Sequence, residues 1–241
     1  MAHTAEHIWR YGDIDVMYSP DLNGGGSEFA CFLVASIKNY FGAERRFGTV
    51  FEWCAGPGFI GFALLGEDVC DSLCLADINP VAIDCVHRTI KVNKLQDRVR
   101  GYVSDNLISV PQRERFDLVV GNPPNFYAVN PVHPARAVLS GRWDLLGQDG
   151  GWRSHAGFYS QIAPFLNPGA FVLVQEVEPH SREVFCHGSG TIPWDIRPEN
   201  QATLFPEMIR RGGLTHVGDF EIRHSGWPDI KSWMQVSQKP V

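Results

Sequence analysis

One stretch constrains this chain more than any other: a strand that runs straight into a glycine loop opening a helix. It reads Phe51-Glu52-Trp53-Cys54-Ala55-Gly56-Pro57-Gly58-Phe59-Ile60-Gly61. Gly56, Gly58 and Gly61 hold the G-x-G-x-x-G spacing, which lets backbone turn tightly, approach a ligand and pack a helix on its strand. A strand followed at once by a helix is half of a crossover unit, and crossover units build parallel sheets.

The rest of the chain repeats the alternation. Strands are expected at 49–54, 72–77, 99–104, 116–121 and 170–175, and helices at 59–65, 80–93 and 154–166. Ahead of them, 14–26 reads as a short strand and a loop. From Ser27 to Phe41, Phe29, Phe32, Leu33, Ile37, Tyr40 and Phe41 recur at helical spacing, with Ser27 as N-cap. Behind them come a loop at 193–201, a helix at 203–211 and two strands, 214–222 and 231–237, suited to pair antiparallel at a sheet edge. No linker interrupts this order. The expectation is one α/β domain over 1–241, with an N-terminal lid and first helix in 1–45 and the core in 46–241.

A chain of 241 residues buries enough surface to need no staples. The six cysteines, at 31, 54, 70, 74, 85 and 186, form no paired framework. Met1–Arg10 lacks the apolar run of a leader, and no stretch reaches the 18 or so apolar residues of a membrane span. These features read as a cytoplasmic chain with free thiols. Cys70, Cys74, His180, Cys186 and His187 do not match zinc spacing, so no metal is expected. Lys and Arg number 21 against 27 Asp and Glu, a formal net charge of −6. That balance argues against nucleic acid as the main partner, with Arg45-Arg46 as a local basic exception.

Candidate ligand contacts cluster after the strands. Asp77 ends the second core strand, where a carboxylate accepts hydrogen bonds from ribose hydroxyls. Glu52 precedes the loop and would repel a pyrophosphate resting there, but would suit a cationic ligand. Pro57 removes a loop N–H that a pyrophosphate would use. Asp105 and Asn106 follow the third strand, in reach of an adenine amine, and Ile78 can pack on the adenine face. Tyr18, with Ser19, Asp21 and Asn23, can close over the ligand or lie exposed. The fourth strand ends in Gly121-Asn122-Pro123-Pro124-Asn125-Phe126-Tyr127. The Asn122 carbonyl can accept an N–H of an attacking amine or amide, while Pro123 and Pro124 stiffen the segment. That is catalysis by positioning.

Glycine loop, Asp77, Asp105 and Asn122-Pro-Pro, in this order, resemble the class I S-adenosylmethionine-dependent methyltransferases. Within them the chain is similar to the N-directed branch with an Asn-Pro-Pro-aromatic motif. That branch holds the release-factor glutamine methyltransferases and the ribosomal RNA guanine methyltransferases with a "small" methyltransferase domain. The stretches 16–26 and 147–151, with Phe158-Tyr159, resemble segments of the same branch. Three positions depart from it. Cys54 stands where the loop has its first glycine, Glu52 where the strand carries Asp, and Asn125 where an aromatic stacks on the substrate, leaving Phe126 or Tyr127 to take that place.

The resemblance implies a Rossmann-like, seven-stranded, mostly parallel sheet with an antiparallel edge and an N-terminal helical lid. It implies S-adenosylmethionine as cofactor, held by Tyr18, Glu52, Cys54, Gly56, Gly58, Asp77, Ile78, Asp105, Asn106 and Asn122. Catalysis falls to Asn122, Pro123 and Tyr127. With the acidic charge and no separate recognition domain, the expected acceptor is a small amine- or amide-bearing metabolite, with nucleic acid unlikely and no membrane. Two alternatives stand beside methyl transfer. One is cyclisation of the cofactor's own aminobutyrate arm to azetidine-2-carboxylate and methylthioadenosine; the other is a cofactor-binding module without catalysis. Trp143 and Trp152 either wall an acceptor pocket or pack beneath the loop.

Overall fold

The computed structural model describes residues 7–22, 26–124, 126–128, 148–150, 152–177, 198–222 and 232–241. The chain divides into two compact units, Met1–Gly121 and Asn122–Val241.

The first unit opens with a hairpin, β1 (His7–Tyr11) and β2 (Ile14–Tyr18), followed by α1 (Gly26–Phe41). Then strands and helices alternate: β3 (Phe47–Trp53), α2 (Phe59–Gly66), β4 (Cys70–Asp77), α3 (Pro80–Val92), β5 (Val99–Val103) and β6 (Phe116–Gly121). β3 pairs in parallel with both β4 and β6, and β4 with β5. Val50, Phe51, Leu73, Leu75, Leu118, Val119 and Val120 are all buried. Such near-continuous apolar runs are what a parallel sheet covered on both faces requires. The Phe51 and Phe116 rings stack at 4.7 Å within this layer.

The helices differ according to their burial. α2 buries seven of its eight residues, so it carries no polar face. α3 is amphipathic and starts on a capped turn: the Asn79 side chain accepts the Val81 N–H at 3.0 Å, and Pro80 fills the first position, where its missing N–H costs nothing. The hairpin is tied to α3 by side chains. Asn93 accepts the Asp15 N–H at 2.9 Å and donates to its carbonyl at 2.8 Å, while Thr89 accepts the Met17 N–H.

The second unit begins with a short parallel ribbon, β7 (Phe126–Ala128) with β8 (Gln148–Gly150). Next come α4 (Arg153–Ile162), a 3-10 turn at Ala163–Phe165, β9 (Leu166–Val177), α5 (Pro198–Arg211), β10 (Thr215–Ile222) and β11 (Ser232–Gln238). β11 runs antiparallel to both β9 and β10, the expected edge. Lys239 donates to the carbonyls of Ala163 and Leu166, closing the end of the 3-10 turn. Strand order in the seven-stranded sheet is β10-β11-β9-β6-β3-β4-β5.

The differences from expectation have local causes. β1 adds a strand ahead of the short strand expected within 14–26. α1 starts at Gly26, one residue before the expected cap Ser27. The helix expected over 154–166 stops at Ile162, because Pro164 has no N–H to continue the ladder. The loop expected at 193–201 gives way to helix from Pro198, a residue whose fixed φ suits a first turn.

Candidate functional site

In the first unit the glycine loop joins the end of β3 to the start of α2. Three of its residues take left-handed backbone: Cys54 (φ 53°), Gly56 (φ 53°) and Gly58 (φ 86°). Gly58 has no substitute, since a Cβ there would stand 2.5 Å from Leu75 and 2.9 Å from the Phe62 ring. At Gly56 a Cβ would meet nothing within 4 Å, so that face of the loop is open to a ligand. Cys54 holds a left-handed conformation that glycine takes without strain, at a cost of about 1 kcal/mol.

Asp77, at the end of β4, holds the loop. It accepts the Gly56 N–H on one carboxylate oxygen and the Asn79 N–H on the other, both at 2.8 Å. Burial raises its pKa against these bonds, which favour the charged form. A carboxylate has about four acceptor positions, so these bonds are compatible with a ribose contact.

Glu52 is 2% exposed and accepts the Gly61 N–H at 2.7 Å. It lies beneath the loop, on the first turn of α2, and shapes both. Burial pushes its carboxyl up to about 8, against backbone bonds from Gly61 and Ile60 that lower it. Gly61 owes its own requirement to this arrangement, because a Cβ there would sit 2.6 Å from the Glu52 carboxylate and 2.7 Å from Leu73.

Other expected residues gather near the same strand ends. Asn106 (φ 52°) accepts the Trp53 indole N–H at 2.9 Å, so it links the segment after β5 to the end of β3. Asp105 is exposed beside it, and Ile78 is half-buried next to Asp77. Tyr18 ends β2 and sets its ring edge-on to Phe59, the first residue of α2, at 5.3 Å. β6 ends at Gly121, paired with Trp53. A Cβ at Gly121 would stand 3.0 Å from the Trp53 ring.

The second unit starts at the next residue, Asn122. Asn122 is half-buried and Pro123 buried. Tyr127 has its backbone in β7, opposite Asp149 of β8; its side chain lies outside the described residues. Asn23, Asn125, Trp143, Gly147, Gly151, His180, Cys186 and His187 lie outside them as well. Trp152 packs edge-on against Phe205 and His155 and is buried, which favours packing over a pocket wall.

Sequence reasoning missed a buried ionic group here. His155 is 0% exposed, with Nδ1 2.7 Å from Asp149 and Nε2 3.0 Å from Glu176. The two carboxylates, with hydrogen bonds, outweigh burial and raise the imidazole to about 9. Asp149 also accepts the N–H groups of Ser154 and His155 at the first turn of α4. The available signal was Glu176, an acid closing the apolar run of β9.

Among the described residues, no group of three or more His, Cys, Asp or Glu side chains is arranged to hold a metal. No described helix is long and apolar enough to cross a membrane.

A family model described as the methyltransferase small domain matches residues 29–141. A ribosomal protein uL3 glutamine methyltransferase of Francisella tularensis is 37% identical over 76 residues, 32% of this chain and 24% of that protein. A release factor glutamine methyltransferase of Aquifex aeolicus is 30% identical over 129 residues, 52% and 44% of the two chains. A ribosomal RNA small subunit methyltransferase C of Haemophilus influenzae is 27% identical over 100 residues, 41% and 29%. The matches thus span less than half the length of these relatives. Among solved structures, the T. thermophilus 16S rRNA N2 G1207 methyltransferase, in complex with AdoMet and guanosine, aligns with a TM-score of 0.58 at 14% identity. The alignment covers 98% of this chain and 50% of that one, a likeness of fold.

The relatives are named for a ribosomal protein, a release factor and ribosomal RNA, which overturns the expectation of a small-molecule acceptor with nucleic acid unlikely. The error lay in reading a summed charge as a local one. Between Arg88 and Arg115 stand seven Lys and Arg (88, 91, 94, 98, 100, 113, 115) against three acids (97, 105, 114), inside a chain of net charge −6.

Proposed function

We propose, from the match of residues 29–141 to the methyltransferase small domain, that the protein is a class I S-adenosylmethionine-dependent enzyme that N-methylates an amide or amine on a macromolecule. The first candidate is the carboxamide of a protein glutamine, after the named activity of the relatives at 37% and 30% identity. A guanine amine in RNA is the second, after the relative at 27%. The observation that carries the reading is the continuation of β6, which ends beside Trp53 of β3 and leads directly into Asn122-Pro123-Pro124. Ligands of open α/β sheets bind beyond the carboxyl ends of the strands.

In this reading the open side of Gly56 admits the cofactor to the backbone of the turn that Gly58 makes possible. Asp77 takes the ribose hydroxyls, Ile78 and Asp105 the adenine, and Tyr18 covers the loop. When bound, S-adenosylmethionine supplies the electrophilic methyl carbon. Asn122 accepts one N–H of the acceptor and turns the nitrogen lone pair toward that carbon. Pro123 and Pro124 hold Asn122 in place, and Tyr127 lies beside the acceptor.

The test mixes the purified protein and tritiated-methyl S-adenosylmethionine with ribosomal proteins plus release factors, or with ribosomal RNA. Label on glutamine side chains supports the first candidate, and label on guanine the second. Release of methylthioadenosine with no labelled macromolecule sinks the methyl-transfer reading.

A further inference from the structure

The second unit holds an ionic group that the proposed function does not use. Asp149 on β8, His155 on α4 and Glu176 on β9 are 1%, 0% and 8% exposed. Nδ1 of the imidazole is hydrogen-bonded to Asp149 at 2.7 Å, and Nε2 stands 3.0 Å from Glu176 as an ion pair. An apolar trio of the same volume would stabilise the fold as well or better, because desolvating charges costs more than a buried pair returns. What such a trio lacks is direction. Two carboxylates fix the plane and both ends of the ring, and so fix the three elements that carry them.

The element with most to gain is β8. The β7–β8 ribbon has three residue pairs, Phe126 with Gln148, Tyr127 with Asp149 and Ala128 with Gly150. A two-strand ribbon of that length does not hold itself together in water. Asp149 is the middle residue of β8, and its carboxylate accepts the imidazole and the N–H groups of Ser154 and His155. β7 lies four residues after Asn122, and two of the intervening residues are Pro123 and Pro124. Prolines have fixed φ, which narrows the freedom of the segment between β7 and Asn122 and couples the two.

The geometry points to Asp149, His155 and Glu176 as positioning residues that fix the β7–β8 ribbon and, through Pro123-Pro124, the orientation of Asn122. This inference rests on the proposed role of Asn122 as the acceptor-orienting side chain. The groups facing the imidazole are Asp149, Glu176, and the Trp152 and Phe205 rings. Nearby, burial holds Tyr159 in its neutral form, with the Glu176 and Asp219 charges acting in the same direction. The clamp is closed while the imidazole is charged, a state that the two carboxylates, outweighing burial, extend up to about pH 9.

Backbone amide exchange of the whole protein tests it, with rates corrected for the base-catalysed intrinsic rate. In the wild type, protection of 126–128 and 148–150 is expected to fall as pH passes from 8 to 10. In His155→Gln at pH 7 those amides lose roughly tenfold protection, while β10 and β11 keep theirs. Asp149→Asn and Glu176→Gln, which retain acceptor oxygens, fall between. His216→Gln, an exposed histidine of the same unit, behaves as wild type. Methyl transfer by His155→Gln drops in kcat with the KM for S-adenosylmethionine unchanged. Unchanged protection at 126–128, or a loss spread evenly over β9, β10 and β11, overturns the clamp. Calorimetry with S-adenosylmethionine separates the two readings. A wild type that does not bind it sinks the proposed function, whereas normal binding with unchanged exchange sinks the clamp alone.

Discussion

Gly58 and Asn122 do opposite kinds of work, and their substitutions should separate cleanly. Gly58 combines a φ of 86° with a Cβ position 2.5 Å from Leu75. Gly58→Ala is therefore expected to destabilise the fold by about 2–3 kcal/mol, read as a lower urea midpoint at unchanged slope. Asn122→Ala removes an acceptor from a half-buried side chain. It is expected to lower methyl transfer by about 100-fold while S-adenosylmethionine affinity stays within a few-fold, because misplacement of the attacking atom costs rate rather than binding. Equal losses of affinity and rate would remove the role given to Asn122. Residue types predicted well wherever chemistry was local. The glycines occupy the loop that their spacing implies, and Asp77 ends the next strand and holds that loop. The hydrogen bond from Gly61 to Glu52 was not legible, because a sequence does not show which way a carboxylate at a strand end turns.

At the scale of elements, the hairpin and α3 form a joint that side chains hold. Asn93 bonds to both the N–H and the carbonyl of Asp15. Asn93→Ala should cost about 2 kcal/mol and selectively speed amide exchange in β1 and β2, with β3 and β4 still protected. A uniform rise across the first unit would mean that the hairpin is not a separate cooperative piece. β2 was legible from its alternation, whereas β1 was not. β1 shows no buried residue among its exposed and half-exposed positions, so it carries no apolar period to read. β7 and β8, three residues each, are too short for any period, and their pairing joins positions more than 20 apart in the chain.

The pH response belongs to the whole molecule, because the shifted groups sit in both units. Glu52 is raised from 4.5 to about 8, so the folded state binds more protons between those values and stability falls as pH rises through that window. His155 is raised from 6.5 to about 9, so its contribution is full below 6.5 and is lost toward 9. Asp149 is lowered, and its contribution is lost only as the pH falls into the acid range. The melting temperature is therefore expected to decline steadily from pH 6 to 9. Glu52→Gln keeps an acceptor for the Gly61 N–H without the ionisable group, and should remove the part of the decline below pH 8. A melting temperature that rises from pH 6 to 9 would contradict both assignments.

The sequence by itself determined the alternation, the parallel order implied by crossover helices, and the glycine loop with its acid one strand later. These follow from periodicity and steric rules that act within a few residues. It also placed Asn122-Pro123-Pro124 at a strand end, because strand termini and prolines are local events. Only the tertiary structure decided that Glu52 turns under the loop, that Asn106 bonds to Trp53, and that Asp149, His155 and Glu176 share one buried site. Those three pairings join residues 9, 53 and up to 27 positions apart. Packing sets such contacts by bringing distant segments together, and no local propensity encodes them.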